Sequence, residues 1–318
     1  MPLITTTYRP PRTLTNGHMS TIYSAKLRGS IPLVQRRERI ELPDGDFLDL
    51  DWSRSAGSSE KVAVLLHGLE GNAQRKYIKG QARELLKAGY DCCAVNFRGC
   101  SGEDNRLYRS YNAGATEDLE AVIIHIQEQD RYKRIDLVGF SLGGNLLLKY
   151  LGEGRTLSPV IQKGVAVSTP LDLEGSLNRL TEGHNWVYRT TFLRRLRQKY
   201  KRKMVRHPDK MGPEELSLIR TLIDFDHLYT AKAHGFKDAY DYYRQNSCRQ
   251  FLPDIHNKVL ILNAANDTFL SSNCYPAELA SRSKDIYLET PPSGGHVGYV
   301  RPGGTYYSET RTREFLLE

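Results

Sequence analysis

Cysteine is scarce in this chain. Five residues (Cys92, Cys93, Cys100, Cys248, Cys274) form an odd set with no Cys-x-x-Cys spacing, which excludes a disulfide framework and a structural zinc site and points to a reducing compartment. Long hydrophobic runs are missing too, since no stretch approaches the roughly 18 apolar residues of a membrane span. The start, Met1-Pro2-Leu3-Ile4-Thr5-Thr6-Thr7-Tyr8-Arg9, lacks the basic-then-apolar order of a signal peptide. A soluble, cytoplasmic protein is expected. There is no internal repeat and no low-complexity tract. Nor is positive charge general: the net charge is +8, but Arg189 to Arg206 alone carries nine basic residues and no acidic one, leaving the rest close to neutral. A local stripe of this kind argues against a nucleic-acid partner, whose binding needs a broader basic footprint.

What is present is an alternation of short apolar runs with amphipathic stretches, in a chain whose 318 residues allow one large domain or two small ones. That alternation is an α/β pattern. Gln35 to Leu42 and Phe47 to Trp52 read as a hairpin, because Asp44-Gly45-Asp46 between them supplies the positive φ of a tight turn. Val62 to Leu66, Cys92 to Phe97, Ile135 to Phe140 and Gly164 to Val167 are too apolar to be half-exposed. They fit strands of a mainly parallel sheet covered by helices on both faces, with adjacent Cys92 and Cys93 pointing to opposite faces. Helices are expected at Tyr77 to Ala88 and Thr116 to Gln129, the second with Glu117, Asp118 and Glu120 near its positive end. After Thr169-Pro170 the strand rhythm stops, returning only at Val259 to Asn263 and Asp285 to Leu288 before a terminal helix near Tyr306 to Leu317. The interval is Tyr-, Lys- and Arg-rich and helical in pattern, for example Glu214 to Phe225 opened by Pro213. An insertion of that length in a regular sheet protein reads as a cap over the active site.

The chemistry concentrates in Gly139-Phe140-Ser141-Leu142-Gly143-Gly144-Asn145, which follows the strand Ile135 to Val138 and opens an apolar helix. This is the nucleophile-elbow pattern in its strand-turn-helix context, where glycines two before and two after the serine relieve a sharp, strained turn. His67-Gly68-Leu69-Glu70-Gly71 follows an earlier strand, the place for a second oxyanion donor, so the amides of Leu69 and Leu142 are the expected oxyanion hole. His67 reads as structural, a hydrogen-bonding residue at a strand end. In this architecture the remaining partners follow as acid, then histidine. Asp267, in Asn263-Ala264-Ala265-Asn266-Asp267-Thr268, and His296, in Gly294-Gly295-His296-Val297-Gly298, both stand in loops after late strands. Asp267 taken alone also fits a turn aspartate bonded to its own backbone.

Together these residues resemble a YheT-like member of the α/β-hydrolase superfamily, related to the abhydrolase-domain lipases and esterases. The resemblance is carried over nearly the whole chain by Asn16-Gly17-His18-Met19-Ser20-Thr21, Glu41 to Asp46, His67 to Gly71, Asn96 to Glu103, the elbow, Asp241-Tyr242-Tyr243-Arg244 and Gly294 to Gly298. It implies an α/β-hydrolase fold with a mainly parallel sheet flanked by helices and a helical cap between strands six and seven. The core would be residues 1–169 and 258–318, the cap 170–257. It further implies a charge-relay set of Ser141, Asp267 and His296 that hydrolyses carboxylic esters, small or lipid-like, with no cofactor and no metal. Asn266 stands where relatives often carry a second acid. A thioesterase or acyltransferase would use the same three residues, and a non-catalytic ligand-binding homologue would keep the fold. Two further expectations concern charge. Glu70 and Arg98 follow neighbouring strands and would pair to brace the oxyanion loop. In Arg189 to Arg206, Phe192, Leu196, Tyr200 and Met204 would form one apolar stripe, with the basic groups over the remaining surface, either simply solvated or in peripheral contact with an anionic membrane.

Overall fold

The computed structural model describes residues 3–318. Nine strands form one sheet: β1 (Leu3–Ile4), β2 (Arg36–Glu41), β3 (Phe47–Ser53), β4 (Lys61–Leu66), β5 (Asp91–Asn96), β6 (Arg134–Phe140), β7 (Ile161–Val167), β8 (Lys258–Leu262) and β9 (Ile286–Glu289). Their order is β1-β9-β8-β7-β6-β4-β5-β3-β2. Only the β2–β3 and β3–β5 pairings are antiparallel; the rest are parallel. The expected hairpin, sheet and insertion are all present, and Gly45 takes a φ of +83° in the hairpin turn. β1 was not anticipated, because two residues are too few to show a period. It makes the insertion follow the seventh strand rather than the sixth.

The central strands are apolar along most of their length because both faces are covered; a buried exception, Asp136 of β6, accepts from the Tyr90 hydroxyl at 2.8 Å. Val62, Val64 and Leu66 of β4 join the core that holds α3 (Thr116–Glu128) and α4 (Leu142–Gly152). Ala63 and Leu65 face the opposite core, under α2 (Lys76–Leu86) and the terminal helix Tyr307–Leu317. Cys93 and Cys92 divide between the two in the same way. The chain leaves β4 through α2 to β5, then crosses back over β4 to reach β6. This reversal sets the carboxyl ends of β4 and β6 side by side, with Leu66 opposite Gly139, so the loops after them meet at the crevice where α/β sheets place their ligands.

Between β7 and β8 lie α5 (Leu173–Thr181), α6 (Trp186–Arg206) and several short helices with their own apolar cluster, including Leu177, Leu196, Tyr200, Phe225, Tyr229 and Tyr242. The expected helix Glu214 to Phe225 is broken into Pro213–Leu218 and Leu222–Phe225. Thr221 starts the second piece with a capping box, its hydroxyl accepting from the Asp224 amide at 3.1 Å while the Asp224 carboxylate accepts from the Thr221 amide at 2.8 Å. The break lets Ile219 bury completely. α6 begins at Trp186, earlier than the basic run, and its stripe is as expected, with Leu196 and Tyr200 buried and Phe192 and Met204 packed beside them. Its basic groups are not all superficial, however: Lys199 and Lys203 are buried. Their ammonium groups reach inward acceptors, Glu70 for the first and the Leu107 carbonyl for the second. Among the described residues no helix is long and apolar enough to cross a membrane.

Candidate active site

Ser141 sits between β6 and α4 at φ +52° and ψ −119°, a conformation that costs a non-glycine residue about 1–3 kcal/mol and persists only where the surroundings enforce it. The flanking glycines show why. A Cβ on Gly139 would lie 2.3 Å from the Gly143 carbonyl oxygen, and one on Gly143 would lie 2.5 Å from that of Leu66. The turn is therefore closed by backbone packing that leaves no room for side chains, and the serine is held out over the carboxyl ends of β4 and β6.

Two loops bring their side chains to it. His296 Nε2 lies 2.9 Å from Ser141 Oγ, and His296 Nδ1 lies 2.9 Å from Asp267 Oδ2. An ionised carboxylate can only accept, so Nδ1 carries the imidazole hydrogen and Nε2 is left to accept from the serine hydroxyl. Asp267 is fully buried as a side chain, and its other oxygen accepts from the Phe269 amide at 3.0 Å. That bond is the local turn contact which the sequence also allowed; the residue makes both. The Phe269 ring stacks on the imidazole at 4.2 Å.

The segment Asn16 to Thr21, whose sequence carries no sign of a role, clamps both loops. Asn16 caps α1 (Gly17–Ile22), accepting from the amides of His18 and Met19. Thr21 Oγ1 accepts from the His296 amide at 2.8 Å. Gly17 packs so tightly that a Cβ there would stand 2.2 Å from the Asn266 carbonyl oxygen. Asn266 bridges the three segments, accepting from the Gly295 amide at 2.9 Å and donating to the Thr15 carbonyl at 2.7 Å. An acid at this position could not make the second bond. Ser168 adds a further brace, accepting from the Val297 amide at 2.9 Å.

The loop after β4 closes over the serine, where a Cβ on Gly68 would lie 3.1 Å from the Ser141 Cβ. Leu142 is the first residue of α4, whose leading amides have no partner within the helix. The Leu69 amide has no backbone or side-chain acceptor among the described residues. His67 is structural as expected: its Nδ1 lies 2.8 Å from the Gly68 carbonyl, and its Nε2 accepts from the Phe97 amide at 3.2 Å. Burial pushes its pKa down to about 3.

The Glu70–Arg98 pair is not formed. Arg98 turns away to Asp118 at 2.6 Å, Asp44 at 2.7 Å and Asp46 at 3.1 Å, pinning the hairpin turn to α3. Glu70 instead pairs with Lys199 of α6 at 2.7 Å. β4 and β5 are neighbours, but three carboxylates hold Arg98, and Lys199, remote in sequence, takes Glu70. Glu70 has a φ of +52°, fixed by Tyr111, whose hydroxyl accepts from the Glu70 amide at 2.9 Å and donates to its carboxylate at 2.8 Å. Arg75 holds the Glu70 carbonyl at 2.7 Å. Lys199 and Tyr111 are residues that sequence reasoning missed. No signal marked the first in the sequence, where Lys199 is one of nine basic residues in its segment.

A cavity of about 590 Å³ opens beside Ser141 and His296, walled by Leu142 and Phe269 from the sheet side and by Leu177, Phe192, Phe225 and Tyr229 from the cap. A family model described as alpha/beta hydrolase fold matches residues 62–301. The chain is 35% identical over 301 residues to "Putative esterase YheT" of Escherichia coli (strain K12), covering 93% of this chain and 87% of that protein. It is 29% identical to "Phospholipase ABHD3" of Mus musculus, covering 94% of this chain and 74% of that one. Among solved structures, the Pyrococcus furiosus esterase Pf2001 superposes with a TM-score of 0.61 at 18% identity, over 90% of this chain and 92% of that chain. With a nine-stranded sheet, a strained serine turn and these likenesses, the chain belongs to the α/β hydrolase fold family, as a YheT-like member.

Proposed function

We propose that the protein is a serine esterase, lipase-like in its pocket, that cleaves carboxylic esters through an acyl-enzyme. The observation that carries this is the unbroken hydrogen-bond chain from Asp267 through His296 to Ser141, 2.9 Å at each imidazole nitrogen, ending in a large apolar cavity. His296 Nε2 takes the serine proton as Oγ attacks the ester carbonyl, Asp267 stabilises the imidazolium, and the amides of Leu69 and Leu142 receive the oxyanion. The imidazolium then gives its proton to the leaving alcohol, and a water activated by the same base releases the acid. The relatives named esterase and phospholipase support an ester substrate. Residues 1–169 and 258–318 would act as the hydrolase core, and 170–257 as the cap that supplies the acyl pocket. Five free cysteines suit a reducing, cytoplasmic setting.

A fluorophosphonate probe and a panel of p-nitrophenyl esters from acetate to palmitate test the reading together. Labelling of the native chain and none of Ser141→Ala is expected, with turnover across the panel. Labelling without turnover would leave a ligand-binding homologue, and equal labelling of both chains would refute the role of Ser141.

A further inference from the structure

We infer that Arg75 and Arg195 form an anion subsite in the wall of the catalytic cavity, and that the ester substrate carries a phosphate group which this pair binds. Both side chains line the same cavity as Ser141 and His296. Neither has a carboxylate partner among the described residues: Arg75 makes one bond, to the Glu70 carbonyl, and Arg195 makes none. The carboxylate closest at hand, Glu70, is already taken by Lys199 and Tyr111.

Two half-buried guanidinium groups facing one space without a counter-ion are unfavourable, since each disfavours the charge of the other while burial removes solvation from both. Burial and the Arg75 charge accordingly hold the Arg195 pKa below its ordinary value. The other groups on this wall deepen the positive character. α2 is eleven residues long and starts at Lys76 with no side-chain cap on its leading amides, so the positive end of its dipole faces the wall that Lys76 and Tyr77 line. The carboxyl that lines the cavity, Asp226, is occupied by Tyr243 and Thr230, each at 2.7 Å. Paired guanidinium forks match the spaced oxygens of phosphate better than a single acceptor. The pocket volume accommodates an acyl chain and a polar head together.

This assignment rests on the esterase reading, and the test separates the two. Butyrylglycerol and butyrylglycerol phosphate differ only in the phosphate and stay monomeric, so no lipid surface is involved. The native enzyme is expected to prefer the phosphate ester in kcat/KM by about tenfold or more, as charge-assisted bonds of this kind imply. Arg195→Gln and Arg75→Gln are each expected to lower that preference about tenfold, and Arg195→Lys to restore part of it. Because the preference is a ratio measured within one preparation, it is unaffected by any fraction of a variant that fails to fold. Hydrolysis of both substrates without preference would overturn the subsite and leave the esterase reading intact, whereas hydrolysis of neither would overturn both. Competitive inhibition of butyrylglycerol hydrolysis by inorganic phosphate, with no preference for the phosphate ester, would assign the arginines to free phosphate and refute a substrate role. A preference seen only with phosphatidylglycerol vesicles would make them surface contacts and refute it likewise.

Discussion

Removing one partner of the Glu70–Lys199 pair should show how far α6 supports the loop after β4, the proposed oxyanion loop. The two side chains meet at 2.7 Å with 9% and 3% of their surface exposed, so screening by solvent is slight. Breaking such a buried pair from one side costs about 3–5 kcal/mol, because the remaining charge stays buried without its counter-ion. Burial alone would raise the Glu70 pKa, but the Lys199 charge and the bonds from Lys199 and Tyr111 outweigh it and hold the carboxyl below its ordinary value. For Lys199, burial works downward, while Cys100 and Glu70 hold its pKa up. A depressed acid contributes stability above its unfolded pKa and loses it as pH falls through the folded one; a raised lysine contributes below its unfolded pKa and loses it as pH rises through the folded one. The pair is therefore fully effective between the ordinary values of 4.5 and 10.5. Urea unfolding of Glu70→Gln, Lys199→Met and the double variant at neutral pH should give single losses of a few kcal/mol and a double loss smaller than their sum by about 1–3 kcal/mol. Turnover of p-nitrophenyl butyrate should fall with Glu70→Gln more than binding does, since the Leu69 amide adjoins it. The corresponding cycle of Glu70→Gln with Arg98→Gln should be additive. Additivity in the Lys199 cycle, within about 0.5 kcal/mol, would refute the coupling of cap to loop.

Ser141→Ala should lower turnover by about 10⁶ with the unfolding midpoint little changed, His296→Ala should be nearly as severe, and Asp267→Asn should retain more activity, all read as kcat on one ester; a Ser141→Ala enzyme at the native rate would sink the mechanism. Burial raises the Asp226 pKa from 3.8 to about 6, so the folded state binds this proton more tightly and stability should fall as pH rises from about 4 to 6. Asp226→Asn should flatten that part of the thermal-unfolding profile, and an unchanged slope would show that another group titrates there. The basic cap helix should bind anionic vesicles only weakly. Lys199 and Arg202 are paired with acids, Lys203 is buried, and Arg189, Arg197 and Arg206 are held on carbonyls. Arg195 is half-buried in the cavity wall, which leaves exposed Arg194 and Lys201, worth about 1 kcal/mol each at such a surface. Strong, salt-sensitive sedimentation with those vesicles would contradict this.

The sheet was legible because a strand covered on both faces is apolar along most of its length, so β4, β5, β6 and β7 stand out as dense runs that no helix or loop explains equally well. The elbow was legible for a related reason: Gly139 and Gly143 are dictated by backbone contacts of 2.3 and 2.5 Å, and a local steric demand leaves a local mark. Loop position after late strands pointed to Asp267 and His296, which the structure joins to Ser141 in one hydrogen-bond chain. Side-chain partnership was not legible. Glu70 and Arg98 follow neighbouring strands, yet their charges were claimed by Lys199 and by Asp44, Asp46 and Asp118. Coulomb attraction depends on where groups lie in space, and residues 70 and 199 are brought together only when the cap folds over the sheet. The bracing of His296 by Thr21 and of Gly295 by Asn266 belongs to the same class, contacts between segments far apart in the chain. Backbone strain and hydrophobic period are properties of adjacent residues and are written in order along the sequence; ion pairs, clamps and the shared wall of a cavity are properties of the closed tertiary structure, and only it decides them.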